Sequence, residues 1–305
     1  MLVAETRNYI MKERLKRVNI PIRTFFYKRN HLYYACNNKG NLKSWSDEMG
    51  NKIAIVTGGG SGIGKASAIK LAEEGFAVCI MDIKEERAEE VKRSIDKAGG
   101  TSIVLDIDVK DEERVKNGFQ KACENLNGII EVVCINAGIN GTLAAIEDLK
   151  AEDWDVTLET NLRSTFLLVK HSIPYMKTRG GSIIITSSIN GNRTFKNIGM
   201  SAYSTSKAGQ VAFMKMAALE LAKYRIRVNA ICPGAIETNI GQNTHPTESL
   251  DKVKIPIEYP EGNQPLEHQP GKAEQVADLV VFLASKKSSH ITGTDIFIDG
   301  AESLL

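Results

Sequence analysis

"IVTGGGSGIGKAS", residues 55–67, joins an apolar run to a helix-like segment through five glycines. Gly58, Gly62 and Gly64 fall where a backbone must turn sharply, approach a pyrophosphate and let a helix pack against a sheet. The helix that follows turns its free N–H groups and positive dipole end toward the same point. Gly58, Ser61, Gly62, Ile63 and Gly64 are therefore candidate phosphate-binding residues. A rival reading exists, because Gly59 to Lys65 nearly matches the ATP-binding pattern GxxxxGK[ST]. The next residue is Ala66, which has no hydroxyl for Mg²⁺, and ATP loses.

Working outward, short apolar runs recur between helix-like segments. They read "KIAIVT", "AVCIM", "SIVLD", "IIEVVCIN", "SIIIT", "RVNAI" and "DIFID". Continuous apolar runs without alternation belong to strands buried on both faces. Their alternation with helices predicts an α/β fold: a Rossmann-type, doubly wound, parallel seven-stranded sheet with helices on both faces. Residues 49–305 should form this single domain. Two regions break the rhythm. Residues 239–269 are proline-rich and aperiodic, as a substrate loop would be. Residues 1–48 carry ten Lys/Arg against four Asp/Glu without a clear strand or complete helix, and read as a basic, poorly ordered extension.

Composition narrows the function classes. A net charge of +2 gives no reason to expect nucleic acid or an anionic membrane as partner. No apolar run approaches a membrane span, and the interrupted N-terminus does not resemble a signal-peptide core. The five cysteines show no CxxC or CxxH spacing, which argues against structural zinc and for a reducing, cytoplasmic setting. No metal site is expected.

Two further elements carry chemistry. Asp82 ends the second strand, twenty-four positions after Gly58. A carboxylate there accepts hydrogen bonds from adenosine ribose hydroxyls and repels a 2′-phosphate, which favours NAD over NADP. Ser61 and Ile83 support this, since a phosphate site would want Arg or Lys there. "YSTSK" places Tyr203 and Lys207 on one face of a helix, four positions apart. A phenol with a pKa near 10 is a poor base at neutral pH, and a neighbouring ammonium favours phenolate.

Together these residues resemble the short-chain dehydrogenase/reductase family over essentially all of residues 50–301. Thr57-Gly58 through Gly64, Asp108–Val109, "NAG" at Asn136–Gly138, Asn161, Ser188, Tyr203 with Lys207, and Pro233–Gly234 with Thr238 carry the likeness by their order and spacing. The resemblance implies that Asp108 and Val109 border the adenine and that Asn136, Ala137 and Gly138 line the ribose and phosphate side. Pro233 and Gly234 belong to the same cofactor-binding set, and Ile236 and Thr238 should meet the nicotinamide carboxamide. It implies Asn161, Ser188, Tyr203 and Lys207 as catalytic residues, with Asn161 holding a relay water and Lys207 also binding the nicotinamide ribose. Two departures stand out. Ile135 replaces the usual Asn before "NAG", and the Ser-to-Tyr interval of fifteen positions is two longer than common. The longer interval leaves Ser187 and Ser188 both open as the active hydroxyl. It also brings in Arg193 and Lys196, either solvated loop residues or ligands for an anionic substrate group.

The expected function is hydride transfer between nicotinamide and the carbon of a hydroxyl/carbonyl substrate. The alternatives are a 3-oxoacyl thioester reductase using NADPH and a non-catalytic NAD(H)-binding regulator. Retention of both Tyr203 and Lys207 speaks against the regulator. The helix after Lys207 is apolar on more than one face: Val211, Met214, Ala218 and Leu221 form one stripe, extended by Phe213, Met216 and Ala217. The second face and the resemblance both imply a homo-oligomer, a dimer or tetramer.

Overall fold

A computed structural model describes residues 25–29, 32–36, 42–44, 50–256, 258–259 and 262–305. The chain divides into two compact units, Met1–Gly50 and Asn51–Leu305. In the first, β1 (Phe25–Arg29), β2 (Leu32–Cys36) and β3 (Leu42–Ser44) form an antiparallel sheet in that order. The sequence reading finds no clear strand there. The cause is visible in hindsight: "FFYKR" and "LYYAC" are rich in aromatic residues, which favour strands. The poor order expected for the rest of residues 1–48 falls outside the described residues.

The second unit is built on seven parallel strands. They are β4 (Asn51–Thr57), β5 (Ala77–Asp82), β6 (Thr101–Asp106), β7 (Gly128–Ile135), β9 (Gly181–Thr186), β10 (Ile226–Pro233) and β12 (Asp295–Ile298). Their spatial order is β12-β10-β9-β7-β4-β5-β6. All seven match runs identified from the sequence. Side chains alternate across the sheet, so each strand feeds two cores. Ile53 and Ile55 face α3 (Glu112–Leu126), α5 (Ser164–Met176) and α6 (Ser201–Leu221). Ala54 and Val56 face α1 (Gly62–Glu73), α2 (Glu85–Lys97) and α7 (Ala273–Ala284). A strand with both faces covered cannot alternate polar with apolar residues, which explains the continuous runs.

The aperiodic segment after β10 has more structure than its sequence suggests. After a turn of 3₁₀-helix at Asn239–Asn243, β11 (Thr244–Pro246) pairs in parallel with β8 (Gly141–Leu143). Asn140 Nδ2 donates to Thr244 Oγ1 at 2.9 Å, and Thr247 Oγ1 donates to the Leu143 carbonyl at 2.9 Å. Ser249 Oγ accepts from Ala145 N at 3.0 Å, and Lys252 pairs with Asp148 at 2.7 Å. These bonds join the segment to residues 140–148 without any periodic apolar face, so periodicity could not reveal it.

Because each unit has its own internal contacts, a chain shortened to begin at Met49 is expected to be soluble. It should melt in one cooperative thermal transition and match the full chain's turnover. Aggregation or lost turnover would show that the first unit completes the second.

Candidate active site

The site starts where the sheet reverses direction. The chain runs from β4 outward through β5 and β6, then returns to β7 on the other side, so the C-terminal ends of β4 and β7 part. Thr57, the last residue of β4, bridges the gap: its hydroxyl accepts from Asn136 N at 3.0 Å and Ala137 N at 3.2 Å. Asn136 Nδ2 in turn donates to the Gly58 carbonyl at 3.4 Å. Gly58 has φ +63°, and a Cβ there would lie 2.9 Å from Ala137 Cα. At Gly64 a Cβ would fall 2.1 Å from the Gly58 oxygen, so only glycine lets α1 start this close to β4. Ser61 precedes the helix without capping it by its side chain, which leaves the first N–H groups open. Thr238 lies over the loop, 3.1 Å from a Cβ built on Gly62. The candidate residues at 58–64, 136–138 and 238 therefore converge on one cradle that a side chain would fill, and it fits a dinucleotide.

Asp82 stands at the cradle's edge. Its Oδ2 accepts from Gly60 N and its Oδ1 from Lys84 N, both at 2.9 Å. Each oxygen keeps a lone pair for a further donor. The Asp82 carbonyl accepts from Ile107 N at 3.2 Å, bringing Asp108 and Val109 alongside. The Val109 side chain is buried in the core, so only its backbone can border a ligand. Pro233 ends β10, and Gly234 has no room for a Cβ against Asp299 and the Glu302 carboxylate. Ile236 packs on the α1 side of the sheet. A cavity of ≈ 400 Å³ beside the glycine loop is lined by Ser61, Gly62, Lys65, Arg87, Thr238 and Lys272, among others.

Across the cradle, Tyr203 and Lys207 share one face of α6, with Nζ 5.5 Å from the phenol ring centre. Lys207 Nζ donates to the Thr186 carbonyl at the end of β9 at 2.8 Å. The two adjacent serines separate cleanly. Ser187 Oγ donates to the Lys207 carbonyl at 2.9 Å and accepts from Asn192 Nδ2, so it braces the helix. Ser188 hydrogen-bonds the Tyr203 phenol and accepts from Asn190 N at 3.1 Å. Burial pushes the phenol above its ordinary pKa, opposed by the Ser188 hydrogen bond. Within the protein alone the expected lowering from Lys207 is not seen, and desolvation dominates, with the buried Cys232 thiol adding to it. Burial also pulls Lys207 down to about 8.

Asn161 lies in a π-helical turn, Glu159–Arg163, between α4 (Ala151–Leu158) and α5. Such turns recur at functional sites. Its Oδ1 accepts from Ile139 N and its Nδ2 donates to the Ile139 carbonyl, both at 2.9 Å. Nδ2 also donates to Ser206 Oγ at 3.0 Å, and the Asn161 carbonyl accepts from Gln210 Nε2 and Thr165 Oγ1. Every polar atom of its side chain and carbonyl thus has a protein partner. Asn161 clamps the loop after β7 onto α6. The loop wall carries the two cations of the lengthened segment. Arg193 stacks over the Phe297 ring at 3.6 Å, and Lys196 reaches Glu302 at 3.7 Å. Lys196 is engaged inside the protein, whereas Arg193 stays exposed to solvent along its stack.

Comparison with known proteins agrees with this geometry. A family model described as enoyl-(acyl carrier protein) reductase matches residues 58–301. The chain is 38% identical to a 3-oxoacyl-(acyl-carrier-protein) reductase of Thermotoga maritima, over 82% of this chain and 96% of that protein. The chain belongs to the short-chain dehydrogenase/reductase family. A cyclohexanol dehydrogenase of Acinetobacter sp. is 34% identical over 85% of this chain and 98% of its own length. The crystal structure of a 3-ketoacyl-ACP reductase from Sinorhizobium meliloti superimposes with a TM-score of 0.78 at 44% identity, covering 83% and 99% of the two chains. As a member of this family the chain is an oxidoreductase acting on a hydroxyl/carbonyl pair. Among the described residues no group of acidic, His or Cys side chains is arranged to hold a metal.

Sequence reasoning did not single out Thr186, Ser206 or Gln210, which hold Lys207 and Asn161 in place. Their partners lie roughly twenty to fifty positions away, and no local pattern marks them.

The depressed Lys207 pKa has a consequence for stability. Burying the ammonium costs stability in full below about pH 8, and the cost fades as pH rises toward the free value of 10.5. Against Lys207→Met, the wild type should therefore gain on the order of 2 kcal/mol between pH 7 and 9.5. Urea denaturation at both pH values checks this, and a pH-independent difference would contradict it.

Proposed function

We propose that this enzyme is an NAD-preferring alcohol dehydrogenase or carbonyl reductase in which Tyr203 exchanges the proton. The observation that carries this reading is the Ser188–Tyr203–Lys207 cluster facing the cradle of Gly58, Gly62 and Gly64. The bound nicotinamide supplies or accepts the hydride. The chain's own residues do the rest. Tyr203, held protonated by burial, gives its proton to the substrate oxygen in reduction and recovers it in oxidation. Ser188 steadies that oxygen as charge develops. Lys207 favours the phenolate whenever Tyr203 is deprotonated, and binds the nicotinamide ribose. Asn161 acts as a positioning residue for the loop that would border the cofactor.

Cofactor choice follows from Asp82. Its carboxylate, already oriented by Gly60 N and Lys84 N, has free lone pairs for ribose hydroxyls and repels a 2′-phosphate. Asp108, Val109, Asn136, Ala137, Gly138, Pro233, Gly234, Ile236 and Thr238 complete the cofactor site in this reading. The burial of Lys196 against Glu302 favours a substrate uncharged around its reacting carbon. The names of two relatives favour a second reading, a 3-oxoacyl thioester reductase. A panel of cyclic and open-chain alcohols, their ketones and 3-oxoacyl thioesters, run with both cofactors, separates the two.

Other supports bear on setting and assembly. Cys79, Cys123, Cys134 and Cys232 are free thiols, which suits a reducing compartment such as the cytoplasm. Among the described residues no helix is long and apolar enough to cross a membrane. Phe166, about half exposed, lines a cavity of ≈ 490 Å³ with Leu158, Leu162 and Phe213, and Met216 and Leu219 on α6 are exposed as well. A second copy of the chain would cover this apolar face, giving a dimer or tetramer.

Tyr203→Phe is expected to lower turnover by ~10²–10⁴-fold while NADH binding, followed by fluorescence titration, stays near normal. Turnover within a few-fold of wild type would reduce the pair to an ordinary helix face. The enzyme should prefer NAD at least tenfold in kcat/KM, about 1.4 kcal/mol, and Asp82→Ala should narrow the gap. Equal kinetics with NADP would refute the role given to Asp82.

A further inference from the structure

Glu302 sits four residues after the end of β12 and is 5% exposed. A carboxylate this deep needs partners, and it has them from three separate loops. Its Oε2 accepts from Ala235 N and from Gln264 Nε2, both at 2.7 Å. Its Oε1 accepts from Asn263 Nδ2 at 3.3 Å and faces Lys196 Nζ at 3.7 Å. Lys196 also approaches the Glu302 carbonyl at 3.5 Å and lies 4.8 Å from the Tyr259 ring centre. Its side chain is only 11% exposed, so this pair is buried on both sides.

The three loops are those the proposed reaction needs. Ala235 follows Pro233–Gly234, on the cofactor side. Asn263 and Gln264 belong to the substrate loop. Lys196 belongs to the lengthened wall between Ser188 and Tyr203. The local backbone adds a further sign. Ala301, directly before Glu302, is held at φ 70°, where a side chain is disfavoured, and Asp299 accepts from Ala301 N and Ser303 N. Strain of this kind persists only where surrounding bonds over-determine it.

We infer that Glu302 is a positioning residue: its buried carboxylate ties the cofactor-side loop, the substrate loop and the Lys196 wall together, and so sets the shape of the substrate pocket. The inference rests on the function proposed above for the location of that pocket. Glutamine in its place would keep the volume but offer one acceptor oxygen and an N–H₂ group to four donors. At least one buried donor would lose its partner.

The test is hydrogen exchange of the full chain, comparing wild type with Glu302→Gln. Exchange should quicken by about tenfold or more in residues 190–200, 234–240 and 262–270 together, while α1 and β5 stay unchanged. Lys196→Met, which cuts one tie, should loosen residues 190–200 alone. With a substrate the wild type turns over, Glu302→Gln should raise its KM about tenfold or more. A change confined to residues 299–305, or one spread evenly over the sheet, would overturn the inference, as would an unchanged KM. If Glu302→Gln does not fold, Lys196→Met and Gln264→Leu decide: each must loosen its own loop, or the inference fails. A wild type inert toward every alcohol and ketone would instead sink the proposed function, and the exchange arm would still decide the role of Glu302.

Discussion

The Thr57 hydroxyl, accepting from Asn136 N and Ala137 N, is the interaction on which the site depends. It lies where β4 and β7 part, and a parallel sheet has no ladder bond to offer beyond its last paired residue. Without that oxygen the two N–H groups would be left without this partner at the point where the chain must make room for a ligand. With it, the loop after β7 is fixed against the glycine turn after β4. Gly58 and Gly64 then let backbone meet backbone at distances no side chain would allow. The cradle is thus a product of backbone contacts, with side chains serving mainly to hold them.

The reacting groups are held by a similar economy of partners. Lys207 is tied to β9 through the Thr186 carbonyl, and its own carbonyl takes a hydrogen bond from Ser187. Asn161, in the π-helical turn, joins the loop after β7 to Ser206 and Gln210 on the same helix. A widened helical turn is energetically poor on its own. Here it aims an amide at Ile139 and leaves the Asn161 carbonyl free for Gln210. Desolvation is the cost of this arrangement, visible in a phenol moved up and an ammonium moved down.

The sheet was legible because burial on both faces leaves a continuous apolar run, and all seven strands carry one. The glycine turn was legible because close backbone approach excludes every other residue. Tyr203 and Lys207 were legible because helical spacing puts them on one face. What the sequence could not disclose depends on distant partners. Ser187 and Ser188 look alike until the Lys207 carbonyl claims one of them. Lys196 stands open as a solvated or ligand-binding cation until Glu302, far along the chain, engages it. The ties of Asn161 to Ile139, Ser206 and Gln210 were not legible because those partners lie far along the chain. The aromatic strands of residues 25–44 were missed because a short antiparallel sheet needs no long apolar run.

The parallel pairing of β11 with β8 gives the two halves of the site a common hinge. β8 starts at Gly141, only three residues beyond Gly138 and two beyond the Ile139 backbone that Asn161 grips. The segment proposed as the substrate loop is therefore hydrogen-bonded to the direct continuation of the loop proposed to hold the cofactor. Lifting one strains the other through a tether of two peptide units, too short to absorb much motion. The same clamp that shapes the cradle thereby also restrains the segment proposed as the substrate loop.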